Sequence, residues 1–121
     1  MTEVTRIPVE VVEKFMVDVF RALGTPEDDA RISAAVLITS DLRGIDSHGV
    51  ARLKYYYDRI KAGVHLTTTN ITVVKESETT ALIDGGHGMG HVIAHRAMRL
   101  AMDKAKRYGV GCVVVRNGTH F

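Results

Sequence analysis

The hydrophobic periodicity changes once along this chain, after Gly63, and this change limits the fold more than any other feature. Before it, apolar residues recur every three or four positions, which predicts three helices in residues 1–65. After it come two short β-branched runs, one long helical segment and one apolar run, which predict a β-β-α-β order in residues 66–121. We therefore predict an α/β fold in which a three-helix N-terminal unit precedes a portion of a mixed sheet.

Local signals mark the ends of the three predicted helices. The first spans residues 8–23 and starts at a proline, which suits a first helical position. The second spans residues 26–43 with Thr25 as its N-cap, and the third spans residues 47–61. The third helix has an apolar stripe, and its predicted inward-facing residues are Val50, Leu53, Tyr57 and Ile60.

The second half of the chain begins with two strand-like runs, at residues 71–74 and 80–83, which predict a hairpin. A helix over residues 91–108 follows, and then an apolar strand over residues 111–115. The continuous apolar run of that strand is typical of a sheet covered on both faces. We therefore expect Cys112 to be a small buried residue rather than a nucleophile. The predicted buried face of the long helix consists of Ala94, Met98, Ala101, Met102 and Ala105.

Composition excludes several classes of protein. The formal net charge of +2 is small and the basic residues are spread along the chain, which argues against nucleic acid as a partner. No apolar run reaches transmembrane length, and the first ten residues, with two glutamates, do not resemble a signal peptide. The single cysteine cannot form an intramolecular disulfide, which suits a reducing compartment. We expect a soluble cytoplasmic protein with no membrane segment.

The sequence DLRGIDSHGVAR, residues 41–52, is the strongest candidate for a functional site. A glycine there suits the end of the second helix, and Asp46 or Ser47 can cap the third. His48 then lies in the first helical turn, and Arg52 follows four residues later on the same face. With the positive end of the helix dipole, this pair suits a carboxylate beside a carbonyl group. The same spacing also fits a structural histidine between two helices.

The sequence RNGTHF, residues 116–121, directly follows the last predicted strand. Asn-Gly marks a turn, and residues just past the carboxyl end of a strand line the usual ligand crevice of α/β sheets. His120 is therefore a second candidate site residue.

Two further patterns predict structure rather than chemistry. The turn GGHGMG, residues 85–90, has the spacing G-x-G-x-G and not the Rossmann fingerprint G-x-G-x-x-G, so we interpret it as a strand-to-helix connection that permits close packing. His87, His91 and His95 are spaced four apart, but no cysteine or carboxylate ligand accompanies them, so we predict no metal. His65 lies in a polar loop and is expected to be solvated.

Residues 41–53, DLRGIDSHGVARL, resemble the signature of the type 2 malate/L-lactate dehydrogenase family, and residues 85–105 and 116–121 agree with it. The resemblance implies an L-sulfolactate dehydrogenase-like fold whose cofactor domain is not a Rossmann fold. It also implies NAD or NADP as the cofactor, a 2-hydroxy or 2-oxo acid such as malate, lactate or sulfolactate as the substrate, and a homodimer or larger assembly. Members of the family are longer, so we expect an N-terminal portion, with residues 66–121 as the start of a cofactor-binding domain.

Together these motifs predict hydride transfer between a nicotinamide cofactor and C2 of the acid. Reduction needs a proton donor near the developing alkoxide, and we assign this acid/base role to His48. Arg52 is assigned to the substrate carboxylate. By resemblance, Ser47 relays the proton or orients His48, and Asp46 is expected to help fix the tautomer of that imidazole.

The resemblance also implies roles in the last motif. His120 and Phe121 correspond to residues that line the nicotinamide and substrate site, and His120 is a second acid/base candidate. Gly118 stands where many members have serine, which removes a hydroxyl that could make a contact there. Two alternatives stay open: a truncated, non-catalytic homologue that dimerises or binds a partner, and a zinc hydrolase built on the three spaced histidines.

Overall fold

The computed structural model describes residues 3–121 and has the predicted order of elements. Within these residues, four α-helices, two 3₁₀ turns and a three-stranded mixed sheet follow one another. The prediction of an α/β fold, with three helices before a β-β-α-β portion, is confirmed. The elements are α1 (Val9–Ala22), α2 (Glu27–Leu42), 3₁₀ turns at Asp46–His48 and Val50–Arg52, α3 (Leu53–Lys61), β1 (Thr72–Glu76), β2 (Thr80–Asp84), α4 (Gly90–Tyr108) and β3 (Cys112–Arg116).

Prolines immediately precede α1 and α2. Pro8 and Pro26 occupy the N-cap positions with φ values of −55° and −54°, so both helices begin one residue later than predicted. The predicted capping role of Thr25 is wrong, because its hydroxyl is buried and has no hydrogen-bond partner among residues 3–121. Three acidic residues in the first turn of α2 stabilise the positive end of that helix instead.

The predicted third helix is interrupted at Gly49, and the α-helix begins only at Leu53. The cause is local. The Asp41 carboxylate accepts a hydrogen bond of 2.8 Å from the Val50 backbone N–H, and a Cβ at position 49 would overlap that carboxylate. The prediction that His48 lies in the first turn of an α-helix is therefore wrong, because it precedes α3 in a 3₁₀ turn.

The main core lies where α1, α2, α3 and the start of α4 meet. Tyr56 enters it from α3 with 1% of its surface exposed, whereas Tyr57 is 42% exposed. The predicted inner stripe is wrong at Val50 and Tyr57, because the interruption leaves Val50 outside α3 and exposed. The buried residues of this core include Met16, Phe20, Ala34, Leu37, Leu53, Tyr56 and Val92.

The sheet has the strand order β1-β2-β3. β1 and β2 form the predicted antiparallel hairpin, with a register shift between Val73 and Lys75, and β3 runs parallel to β2 after α4. Side chains along β3 alternate between exposed and half-buried, and Cys112 is exposed. The prediction of a buried Cys112 is wrong for the described residues, in which α4 covers one face of the sheet. Coverage of both faces stays a prediction.

The helix α4 spans Gly90–Tyr108, as predicted to within one residue. Its predicted buried face is wrong at Met98 and Met102, which are exposed, whereas Ala94, Ala101 and Ala105 are half-buried. Lys104 is buried on the neighbouring face, where Glu76 accepts a 2.8 Å hydrogen bond from its ammonium group. A hydrophobic periodicity that counts lysine as polar therefore misses Lys104 and predicts the wrong buried face for α4. Neither α4 nor any other helix within residues 3–121 is long and apolar enough to cross a membrane.

An ion pair joins the helical unit to the sheet portion. Arg96 of α4 donates a hydrogen bond of 2.6 Å to the Asp29 carboxylate of α2 and one of 3.3 Å to the Thr69 carbonyl. The Asp29 side chain is buried whereas the Arg96 side chain is 44% exposed, so the pair lies at the edge of the packed region and holds α4 against α2. The division of the chain at residue 65 stays a prediction.

Candidate functional site

The 3₁₀ turns bring Ser47, His48 and Arg52 together without a continuous helix. The Ser47 hydroxyl and the His48 Nδ1 atom are hydrogen-bonded at 2.9 Å, and the Arg52 Nε–H donates to the Ser47 carbonyl at 2.8 Å. The sequence predicted that Asp46 fixes the tautomer of His48. In the structure the contact to the His48 ring comes from Ser47 instead. The predicted capping role of Asp46 or Ser47 is likewise taken by Asp41, which accepts from the Val50 N–H.

His120 reaches the same place from the distant end of the sequence. The imidazole rings of His48 and His120 are stacked, with centroids 5.9 Å apart and an interplanar angle of 24°. His120 Nδ1 is also hydrogen-bonded to the Tyr56 hydroxyl at 2.9 Å. The structure thus brings together the two motifs that the sequence singled out.

The glycine-rich turn before α4 makes room for His120. A Cβ at Gly90 would overlap the backbone carbonyl oxygens of Thr119 and His120, and one at Gly88 would lie 2.8 Å from Thr69. The Thr119 hydroxyl donates to the Gly88 carbonyl at 2.6 Å. The prediction that these glycines permit close packing is confirmed.

Tyr55 forms a wall of the site that sequence reasoning did not assign. Its ring lies 5.5 Å from the His120 ring, edge to face. The guanidinium carbons of Arg52 and Arg59 lie 5.5 Å and 5.3 Å from its centroid. The spacing of Arg52, Tyr55, Tyr56 and Arg59 by three and four residues was the available signal, because it places these residues on one helical face.

The electrostatics around His120 favour its neutral form. Burial lowers its pKa first, and the positive charge of Arg52, the charge of His48 and the positive charge of Arg59 lower it further. Burial raises the pKa of Tyr56 to about 12, so its hydroxyl stays protonated. Among the ion pairs of residues 3–121, none involves Arg52 or Arg59. In the part of the chain that the structure describes, the two guanidinium groups at the site therefore have no ion-pair partner.

Two buried histidines pack on Tyr56 behind the site. The rings of His65 and His91 lie 5.9 Å and 4.8 Å from the Tyr56 ring, and each residue is 2% exposed. Burial lowers both pKa values to about 4. The prediction of a solvated His65 is wrong, because its loop folds back through a hydrogen bond from the Leu66 N–H to the His87 carbonyl.

The three spaced histidines do not converge. His87 lies in the connection before α4 with a φ of 59°, His91 is buried against Tyr56, and His95 is exposed. Within residues 3–121, no group of three or more histidine, cysteine, aspartate or glutamate side chains is placed to hold a metal ion. The geometry therefore gives no support to a zinc hydrolase.

Comparison with known proteins identifies the family. Residues 7–121 match the family model described as malate/L-lactate dehydrogenase. The chain belongs to this family. The resemblance found in the sequence is thereby confirmed.

Individual relatives agree with this assignment. The chain is 47% identical over 116 residues to a malate dehydrogenase of Pyrococcus abyssi, with 96% of this chain and 32% of that protein covered. It is 45% identical over 109 residues to an L-sulfolactate dehydrogenase of Methanocaldococcus jannaschii, with 90% and 32% covered. The structure of a malate dehydrogenase from Pyrococcus horikoshii superimposes with a TM-score of 0.95 at 45% identity, with 97% of this chain and 34% of that one covered. The chain spans about a third of the length of the curated relatives it matches.

Proposed function

We propose that the whole protein is an NAD(P)-dependent oxidoreductase that transfers a hydride between a nicotinamide cofactor and C2 of a 2-hydroxy or 2-oxo acid. Membership of a family of malate/L-lactate dehydrogenases supports the reaction class. The observation that carries the proposal is the stacked pair of His48 and His120 beside Arg52. This arrangement offers a proton donor and a carboxylate partner at one place.

Arg52 is the proposed partner of the substrate carboxylate. Its Nε–H is occupied by the Ser47 carbonyl, which fixes the plane of the guanidinium group. Within residues 3–121, its two terminal nitrogens have no hydrogen-bond partner. A carboxylate can accept two parallel hydrogen bonds from such a pair of nitrogens, which fixes its orientation as well as its charge.

His48 is the proposed acid/base. Its Nδ1 atom is held by the Ser47 hydroxyl, so Nε2 is the nitrogen left for a substrate oxygen. During reduction, the Nε2–H gives its proton to the developing alkoxide, and the Ser47 hydroxyl keeps the ring oriented. During oxidation, the same nitrogen accepts the hydroxyl proton. The imidazole of His120, stacked on His48, lines the same space.

His120 and Phe121 are the proposed cofactor contacts in this chain. Phe121 exposes 66% of its surface next to the half-buried His120, so a flat apolar ring is available for a nicotinamide. Bound there, the cofactor would supply the hydride. The filled space at the glycine-rich turn supports the proposal that the cofactor is not held by a Rossmann phosphate loop.

A binding module without catalysis is the alternative. The observation that favours this alternative is a mainly apolar groove of about 420 Å³. The groove is lined by Phe15, Val19, Val50, Leu53, Lys54 and Tyr57. Such a surface is typical of a protein interface. Cofactor binding separates the two functions, because NADH fluorescence changes on mixing with an oxidoreductase and stays unchanged with a module that lacks the nicotinamide site.

The proposed function is tested with the full-length protein and a screen of 2-hydroxy and 2-oxo acids, with NAD and NADP in turn. We expect turnover of at least one acid. In the Arg52→Lys variant, the KM for that acid should rise by about tenfold or more, because a lysine cannot make the paired hydrogen bonds. The KM for the cofactor should stay within about twofold. Arg43→Lys, at an exposed position in the same motif, is the control. An unchanged acid KM in Arg52→Lys contradicts the assignment.

A further inference from the structure

We propose that Asp84 is a positioning residue of the site, which fixes residues 117–121 so that His120 meets His48 and Tyr56. The inference rests on the proposed function, in which His120 contacts the cofactor. Asp84 itself touches neither substrate nor cofactor in this proposal, and it acts through the backbone that precedes His120. Its basis is a carboxylate that bridges two turns, each of which holds one residue in a strained conformation.

Asp84 ends β2 at the point where β3 also ends. Its partner in the parallel register is Arg116, so the chain leaves both strands at the same edge of the sheet. The glycine-rich turn, residues 85–90, follows β2, and residues 117–121 follow β3. Residues 117–121 belong to no helix or strand, yet they have to carry the His120 ring to its stacked position. Their conformation therefore depends on the contacts that they make.

The two oxygens of the Asp84 carboxylate hold different turns. Oδ1 accepts a hydrogen bond of 2.9 Å from the Gly86 N–H. Oδ2 accepts one of 2.8 Å from the Arg116 Nε–H and one of 2.9 Å from the Asn117 Nδ2–H. The Gly86 bond above all, and then the Arg116 bond, lower the pKa of Asp84, so the carboxylate is ionised at neutral pH. Charge-assisted bonds to both turns keep the turns in a fixed relation to each other.

Each turn contains a residue in the left-handed region. His87 has a φ of 59° and Asn117 has one of 52°, and within residues 3–121 they are the two residues other than glycine with a positive φ. The His87 N–H donates to the Asn117 carbonyl at 3.0 Å, so the two are joined directly. Such conformations persist where the surrounding contacts over-determine them, and they cluster at functional sites. The bond from the Asn117 amide to Asp84 is one of those contacts.

Further contacts pass this constraint on to His120. The Thr119 hydroxyl donates to the Gly88 carbonyl at 2.6 Å, and the absence of a side chain at Gly90 leaves room for the Thr119 and His120 carbonyls. Because only two residues separate Asn117 from His120, a displacement of the turn moves the imidazole as well. A misplacement of about 1 Å at a reacting centre can cost on the order of a hundredfold in rate.

The first test is Asp84→Asn in the full-length protein. The new amide presents N–H donors where one carboxylate oxygen accepted, so one of the two turns loses its hydrogen bonds whichever way the amide lies. Per folded enzyme, we expect the KM for the cofactor to rise by about tenfold and kcat to fall by a smaller factor. Asp103→Asn is the matched control, because Asp103 pairs with Lys106 at 3.8 Å on an exposed part of α4, roughly 20 Å along the helix from Gly90.

Asn117→Gly tests the same contact from the other side. Glycine adopts the left-handed conformation freely, so the turn is kept while the amide bond to Asp84 is lost. We expect the same changes as in Asp84→Asn, at a smaller size. This variant keeps the inference testable where Asp84→Asn lowers the yield of folded protein.

A double-mutant cycle separates positioning from a general loss of structure. In the His120→Gln background, Asp84→Asn should raise the cofactor KM by less than about threefold, because the residue through which Asp84 acts has been replaced. The ¹⁵N shifts of the His120 ring report its surroundings without any need for turnover. They should change in Asp84→Asn and stay as in the wild type in Asp103→Asn.

Each result supports or overturns the inference. A wild-type protein that turns over no acid in the screen contradicts the proposed function, and the His120 shifts then decide by themselves whether Asp84 positions that ring. Turnover with equal losses in both backgrounds, or unchanged His120 shifts in Asp84→Asn, overturns the inference alone. A lower melting temperature with neither the shifts nor the cofactor KM changed also overturns it, because Asp84 would then be structural only.

Discussion

The Tyr56 hydroxyl lies 2.9 Å from His120 Nδ1 and ties a core residue of α3 to a histidine of the candidate site. Tyr56 is buried, and the rings of His65 and His91 pack on it, so its hydroxyl has little freedom to move. The contact orients the His120 ring, because a histidine bonded at Nδ1 presents Nε2 to a ligand.

We predict that Tyr56→Phe, which preserves the ring and removes the hydroxyl, releases this constraint. The ¹⁵N shifts of the His120 ring should change from one tautomer to a mixture, and the free energy of unfolding should fall by about 1 kcal/mol. In the full-length enzyme, kcat should fall by about tenfold. Tyr57→Phe is the matched control, because Tyr57 is exposed in the same helix. Identical His120 shifts in Tyr56→Phe and the wild type would contradict the prediction.

A second prediction concerns the interruption at Gly49. In Gly49→Ala the new Cβ would collide with the Asp41 carboxylate that caps the Val50 N–H. We expect the free energy of unfolding in urea to fall by about 2–4 kcal/mol, against about 1 kcal/mol for Asp41→Ala, which removes only the cap.

A double variant gives the decisive comparison at this position. Asp41→Ala clears the space that the added methyl group needs, so the two changes together should cost less than their sum. Strict additivity would show that Gly49 is required for another reason, such as its backbone angles of −97° and −143°.

The sequence predicted the elements well because their signals are local. Apolar spacing and prolines placed α1 and α4 to within one residue, and the glycine after α4 takes the left-handed conformation that ends a helix. Ser47, His48 and Arg52 were found for the same reason, because they lie within six positions of one another and one short turn brings them together.

The burial of several side chains and the contacts between distant residues could not be predicted from the sequence. Met98 is exposed and Lys104 buried because of where β1 and the sheet meet α4. His65 is buried because its loop is held to the glycine-rich turn by a backbone hydrogen bond. The hydrogen bond between Tyr56 and His120 joins residues 64 positions apart, and hydrophobic periodicity cannot predict a contact over that distance in sequence. Such features depend on which surfaces meet in three dimensions.

The buried histidines predict a loss of stability in acid. In the folded state the pKa values of His65 and His91 are lowered to about 4 from 6.5, so the unfolded chain binds protons first as the pH falls. Their contribution to stability is fully present above about pH 6.5 and is lost between there and about pH 4, up to about 3 kcal/mol for each histidine. Urea unfolding at pH 7.5 and at pH 4.5 measures this loss as the difference between the two free energies of unfolding.

A neutral replacement isolates the effect. His65→Gln should show a smaller difference in unfolding free energy between the two pH values than the wild type, because one of the two titrating groups is gone. His95→Gln, at an exposed position of α4, should leave the difference unchanged. An undiminished acid loss in His65→Gln would mean that His65 does not titrate on unfolding.

The final prediction separates the two stacked histidines. If His48 transfers the proton, His48→Gln in the full-length protein should lower kcat by about 10²- to 10⁴-fold with little change in the KM for the acid. His120→Gln should act chiefly on the KM values for acid and cofactor, because His120 is proposed to line the site beside Phe121. Ser47→Ala, which removes the hydroxyl on His48 Nδ1, should lower kcat by a smaller factor.

The pH profiles of the same variants test the assignment independently. The pH profile of kcat in the wild type should have a limb that reports the proton-transferring histidine. This limb should be absent from the profile of His48→Gln and present in that of His120→Gln. The charge of His48 is one of the causes that lower the pKa of His120, so the pKa of His120 should rise in His48→Gln. Loss of the limb in His120→Gln, with the limb retained in His48→Gln, would exchange the two roles and leave Tyr56 as the residue that orients the catalytic imidazole.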